Sequence, residues 1–182
     1  MTAQIAGLRE GSLVLYKLRP ARVVRLDDKL ELETEDGAGP KVRPKDVTLL
    51  HPGPIRSLAE ALQPQTGEVE TAWEMLAGET TTLAELAELA YGAYTPATAW
   101  AAWQLVADGL YFRGTPEAIT VCPAEEVERT RSARAAEAAE RQAWSRFLAF
   151  VRGRSERDNA APDRPAPTPE DERFLREVEA LA

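Results

Sequence analysis

Residues 81–121, TTLAELAELAYGAYTPATAWAAWQLVADGLYFRGTPEAITV, decide the fold. Thr82 and Glu85 have capping-box spacing ahead of Leu83, Leu86, Ala87 and Ala90, which fall on one helical face, and Gly92 stops that helix. Thr95-Pro96 opens the next helix, with proline at the first helical position. Asp108-Gly109 then turns the chain into Leu110-Tyr111-Phe112-Arg113, and Gly114 to Ala118 returns it through Ile119-Thr120-Val121. Upstream, Val69, Ala72, Trp73 and Leu76 give a first helix over about Glu68 to Ala77, closed by Gly78. Three helices followed by a hairpin spell a winged helix-turn-helix over 54–123. Its third helix, Thr95 to Asp108, contains no Lys or Arg, whereas a helix that docks in a DNA groove needs cations for phosphates and polar groups for base edges.

Charge sharpens the point. Segment 54–123 has two basic residues, Arg56 and Arg113, against nine acidic ones, so most of the chain's net charge of −8 sits there. Duplex DNA is therefore disfavoured as a partner. Trp100 and Trp103, three apart, share a face and read as core or interdomain packing rather than as a base-stacking pair.

Residues 1–53 read as a small SH3-like β-barrel. Ser12 to Leu18, Ala21 to Leu26, Leu30 to Thr34 and Val47 to Leu50 are Val/Leu-rich, Asp27-Asp28 and Asp36-Gly37 mark turns, and the prolines lie at strand margins. Nine basic residues face eight acidic ones. Lys17, Arg19, Arg22 and Arg25 cluster on the first hairpin, and Lys41, Arg43 and Lys45 precede the last strand. Two readings stand: a solvated barrel surface, or a phosphate-tracking surface for a single strand with Tyr16 as a stacking platform.

Residues 124–153 form a long Ala/Glu/Arg helix with an apolar stripe of Ala139, Ala143, Phe147 and Phe150, joined by Trp144, Leu148 and Val151. Arg131, Arg134, Arg141 and Arg152 lie beside that stripe, most simply as a solvated face. Residues 154–168, with Pro162, Pro165 and Pro167, read as a linker. Residues 169–182 read as a short amphipathic helix with Phe174, Leu175, Val178 and Leu181 on its apolar face; being marginal alone, it must dock on something, and no partner for it shows in the sequence. The class is α+β.

Catalytic signatures are missing. One histidine, His51, and one cysteine, Cys122, exclude a disulfide framework and a zinc site and suit a reducing cytoplasm. Asp27 with Asp28 tips a turn, and Glu170, Asp171 and Glu172 open a helix where acids favour the dipole. There is no phosphate loop or nucleophile elbow, no signal-peptide core and no apolar run of membrane-spanning length.

The order of modules carries a resemblance. The first segment ending in Val42-Arg43-Pro44-Lys45-Asp46-Val47-Thr48, the Trp73-Glu74-Met75-Leu76 helix, Leu83 through Gly92, the Tyr111-Phe112 wing and the Ala/Glu/Arg helix together resemble the N-terminal region of ribonuclease II family 3′–5′ exoribonucleases. The resemblance implies an accessory region, non-catalytic by itself, with single-stranded RNA as substrate and the aspartate-bound magnesium held by a catalytic domain that no stretch here matches. Within it, Tyr16, Lys17, Arg19, Arg22, Arg25, Lys41, Arg43 and Lys45 are expected to meet RNA. Trp100, Trp103, Phe174, Leu175 and Val178 are expected to pack against the nuclease domain, in cis or in trans. The competing readings are a transcription-associated adaptor and a winged-helix DNA-binding regulator.

Overall fold

The computed structural model describes residues 7–37, 39–156 and 168–181. The chain divides into two compact units, Met1–Val127 and Glu128–Ala182.

The first unit begins with five strands, β1 (Leu13–Tyr16), β2 (Arg19–Leu26), β3 (Leu30–Thr34), β4 (Lys41–Val42) and β5 (Val47–His51), in the antiparallel order β4-β3-β2-β1-β5. Leu13 faces His51 and Arg22 across the neighbouring strands, and Arg25 and Lys41 both sit opposite Glu31. The expected closed barrel is not formed; this is an open sheet. Its outer strands do not pair with each other, because β4 is two residues long and runs straight into a 3-10 turn, Pro44–Asp46. Pro44 has no N–H to give to a ladder, and Asp46 N–H is already spent on Arg43 O at 2.9 Å. Val14, Ala21, Val23, Leu30, Leu32, Val42 and Val47 bury one face as a small core of their own.

The turn between β1 and β2 is Lys17-Leu18, with φ of 50° and 64°. A two-residue hairpin needs left-handed backbone, which Asn-Gly adopts readily and which costs about 1–2 kcal/mol for each residue bearing a larger side chain. Here a leucine takes that conformation while 83% exposed.

The winged helix follows, entered through a short helix α1 (Leu58–Ala61) that sequence periodicity misses because it is a single turn. Then come α2 (Val69–Met75), β6 (Thr80–Thr81), α3 (Leu83–Tyr91), α4 (Pro96–Asp108), β7 (Phe112–Thr115) and β8 (Ala118–Val121), with the wing sheet ordered β6-β8-β7. Both halves of the Thr82–Glu85 capping box form, and Gly92 ends α3 in the left-handed region at φ 82°. A second reciprocal cap, Thr95 with Thr98, starts α4 behind Pro96. Leu83, Leu86, Ala87 and Ala90 bury one face of α3, as their spacing predicts. The indole of Trp73 donates to Cys122 O at 2.7 Å and stacks near Tyr111 at 5.3 Å, which pins α2 to the wing.

The two modules share one core. Leu13, Leu15 and Leu50 of the sheet, Ile55, Leu58 and Ala61 of the connection, and Leu86, Ala99, Ala102, Val106 and Phe112 of the winged helix belong to a single buried cluster.

In the second unit, α5 (Ala124–Glu156) runs three residues beyond the expected end, over positions assigned to the linker; residues 157–167 of that linker lie outside the described residues. Ala139 is exposed rather than part of the buried stripe, which starts at Ala143. The short helix α6 (Pro169–Leu181) does have a partner in this chain: Phe174 is 2% exposed against Ala143 and Phe147, with Leu175 packed alongside. Phe174 meets Phe147 at 5.4 Å and Trp144 edge-on at 5.1 Å between centroids, and Arg173 donates to Glu140 at 2.6 Å. The side chains of Val178 and Leu181 lie outside the described residues.

Two outcomes follow from this packing. Lys17→Asn combined with Leu18→Gly relieves the turn and raises stability by about 1–2 kcal/mol, read as a melting temperature higher by a few degrees. Phe174→Ala removes the largest side chain holding α6, so the amides of residues 169–181 lose their exchange protection while those of residues 83–121 keep theirs.

Candidate nucleic-acid interface

Helix α4 is enclosed within this chain. Thr98, Ala99, Ala101, Ala102 and Val106 are buried, Trp100, Trp103 and Leu105 are half-buried, and the fully exposed side chains along it are those of Gln104, Ala107 and Asp108. It packs on α3, on α1, on β7 and on β5 of the sheet. The small side chains make close approach possible: three alanines and a threonine line the buried face where larger residues would hold the sheet away. A groove-reading helix must present a polar, cationic face to solvent, and this one presents an amide, a methyl and a carboxylate. Trp100 and Trp103, expected at a joint with another domain, pack against the shared core of the first unit.

The joint between sheet and α4 contains the chain's histidine. Gly53 N–H donates to His51 Nδ1 at 2.8 Å, the His51 and Tyr94 rings are 4.6 Å apart, and the Tyr94 hydroxyl donates to Leu50 O. Burial pushes the imidazole below its ordinary value; hydrogen bonding to the Tyr94 backbone raises it in part, and the Arg9 guanidinium lowers it again. Arg9 itself donates from Nε to Pro52 O at 2.8 Å and from a terminal nitrogen to Gly53 O at 2.7 Å. His51 thus serves as a neutral hydrogen-bond acceptor in a structural joint.

Cys122 is buried, and burial pushes its thiol up, away from the thiolate that nucleophilic chemistry requires. Among the described residues no group of three or more His, Cys, Asp or Glu side chains is placed to hold a metal ion.

The basic residues of the sheet are brought to one module but divide by role. Arg22 is a tie rather than a free cation: its Nε donates to Ile55 O at 2.8 Å and a terminal nitrogen meets Glu33 at 2.8 Å, at 24% side-chain exposure. Arg19 pairs with Asp36 at 3.4 Å and Arg43 with Asp46 at 3.3 Å, both on exposed surface where such pairs contribute little and open readily. Arg25 and Lys41, exposed, flank Glu31 in the register. Lys45 is exposed on the 3-10 turn. Tyr16 is half-buried, and the Lys17 ammonium lies 5.3 Å from its ring centroid. The first strand is expected to run through Leu18 and the second to start at Ala21, whereas the turn is Lys17-Leu18 and Arg19-Pro20 belong to β2; a turn pair without Gly or Asn gives no local signal.

The fold and this geometry define a winged helix domain whose α4 is used for packing, fused to a small sheet of nearly balanced charge that carries exposed lysines and arginines. Residues 55–120 match the protein-family model described as Ribonuclease II, winged helix domain. That match covers the winged helix and supports its likeness to the N-terminal region of ribonuclease II family proteins. None of the curated proteins matches the chain, and none of the solved structures does. No helix among the described residues is long and apolar enough to cross a membrane.

The joint makes a pH prediction. A histidine held neutral in the fold binds its proton more readily when unfolded, so its contribution to stability is whole above about pH 6.5 and declines as pH falls toward the lowered folded value. His51→Asn keeps an acceptor for Gly53 N–H but cannot be protonated. Its melting temperature is expected to fall less than that of the parent chain between neutral pH and about pH 5, and equal slopes would remove His51 from the joint.

Proposed function

We propose that this chain is the substrate-admitting accessory region of a 3′–5′ exoribonuclease, non-catalytic by itself, which guides single-stranded RNA along its N-terminal sheet toward a nuclease domain in cis or in trans. The observation that carries the reading is the winged helix match over residues 55–120. The charge partition supports it: the acidic winged helix repels phosphate, whereas the sheet carries Lys17, Arg19, Arg25, Lys41, Arg43 and Lys45 on exposed positions. Phosphates compete with carboxylates for exposed guanidinium groups at little cost, so the pairs of Arg19 and Arg43 leave both residues available to an incoming strand. Arg22 contributes to the fold and is removed from the RNA-contacting set, since it binds the Ile55 carbonyl and Glu33. The magnesium-dependent hydrolysis implied by the family belongs to the nuclease domain.

Duplex reading by α4 is set aside because its face is occupied.

Arg25→Glu with Lys41→Glu tests the proposal without touching the core. Titration of a labelled RNA strand into the full chain at several salt concentrations is expected to show weaker binding, with a slope of log affinity against log salt reduced by roughly 1.4, about 0.7 for each phosphate of a single strand that is no longer neutralised. Unchanged affinity and slope would end the assignment of RNA to the sheet.

A further inference from the structure

The Lys17-Leu18 turn combines three features that are each unfavourable for a mere connection. Both residues are left-handed without being glycine or asparagine, and the apolar one is 83% exposed. On either side of this tip lies a cleft. One, of about 290 Å³, has Lys17, Leu18, Asp46, Trp103, Pro116 and Glu117 among its lining residues. The other, of about 420 Å³, has Tyr16, Lys17, Arg19, Pro20, Glu35 and Asp36 among its own. Alternation along β1 explains the division, with Leu15 lining the first cleft and Tyr16 the second, while the Lys17 ammonium lies 5.3 Å from the Tyr16 ring centroid. Lys17 borders both clefts.

We infer that this tip is a wedge for single-stranded RNA, an inference that rests on the RNA reading above. Leu18 enters between two consecutive bases, one base settles in each cleft against Trp103 or Tyr16, and the Lys17 ammonium meets the phosphate that joins them. Each cleft offers what one base needs and a phosphate does not. There is an aromatic ring with proline beside it, and there are two carboxylates, Asp46 and Glu117 in one cleft and Glu35 and Asp36 in the other, that repel phosphate and accept hydrogen bonds from exocyclic amino groups, Asp36 in exchange for its exposed pair with Arg19. Apolar side chains inserted between base steps are an established way for proteins to unstack a strand, and leucine is among those used. The carboxylates also give the site a preference: adenine and cytosine carry an amino group on the pairing edge, and uracil does not.

The arrangement explains why the turn keeps a strained leucine. A glycine there stabilises the hairpin but leaves nothing to part the bases, so the test uses a variant that folds better. The full chain is titrated with oligoadenylate of about twelve nucleotides carrying one 2-aminopurine, whose fluorescence rises on unstacking. The parent chain is expected to raise that fluorescence and to bind oligoadenylate more tightly than oligouridylate. Leu18→Gly is expected to melt at a higher temperature, to bind about five- to tenfold more weakly and to leave the fluorescence flat. If Leu18→Gly binds and unstacks as the parent does, or if the parent binds without unstacking, the wedge is overturned while RNA binding by the sheet stands. If the parent chain binds neither oligonucleotide, the RNA reading falls with it and the exposed leucine belongs to a protein contact.

Discussion

Everything in the first unit depends on the burial of α4 against β5. The sheet is short and open, with its own small core on one face and Leu13, Leu15 and Leu50 on the other, and those three leucines have nowhere to go but onto Ala99, Ala102 and Val106. Fully burying a leucine is worth roughly 1.5–3 kcal/mol, so three of them far outweigh a surface ion pair. The polar groups at the seam are satisfied as well. Tyr94 bonds to the Leu50 carbonyl, His51 accepts from Gly53, and Arg9 closes the turn carbonyls. Apolar burial supplies the stability of the joint, and these hydrogen bonds fix its register.

That choice determines what the winged helix is available to do. In a DNA reader the third helix is the one kept free. Here it is the one most completely spent, and its lack of cations is the sequence trace of that use: a guanidinium on this face would have to be buried beside leucines or would keep the sheet from closing on the helix. The nucleic-acid contact proposed above is accordingly assigned to the other side of the joint, where the sheet holds exposed lysines and arginines and where Leu18 of the β1–β2 turn is exposed.

Much of this is legible in the chain, for identifiable reasons. The Thr82–Glu85 capping box, Gly92 and Thr95-Pro96 are local signals: α3 starts and stops where the first two say, and α4 starts where the third says. The cation-free helix correctly implies packing, but the partner expected from sequence is a further domain and the partner found is β5, because no sequence pattern reveals which apolar faces meet. The same gap hides the partner of α6: Phe174 and Phe147 are 27 positions apart, and only their separate stripes are visible in sequence. Barrel closure does not follow because it depends on the length of β4, which a proline two residues on cuts short. Arg22 looks like its neighbours, since composition cannot distinguish an arginine that reaches a carbonyl from one that reaches solvent.

The acidity of residues 54–123 takes on a role in this arrangement. At physiological salt, charges are screened beyond about 8 Å, so a net charge of −8 does not prevent RNA from meeting a local cluster of cations; it makes every other approach unfavourable. On the proposed reading, an RNA strand drawn to the sheet would be repelled by the winged helix a short way on, and its path would narrow to the exposed cations of the sheet and the hairpin tip. In the wedge proposal the carboxylates lining the two clefts extend the same logic to the scale of a nucleotide, since they would admit a base edge where they exclude a phosphate. Affinity is reduced by that exclusion. If the region passes RNA onward as proposed, weak and directional contact suits it: each base would leave the tip as readily as it arrives, whereas a fully basic surface would retain it.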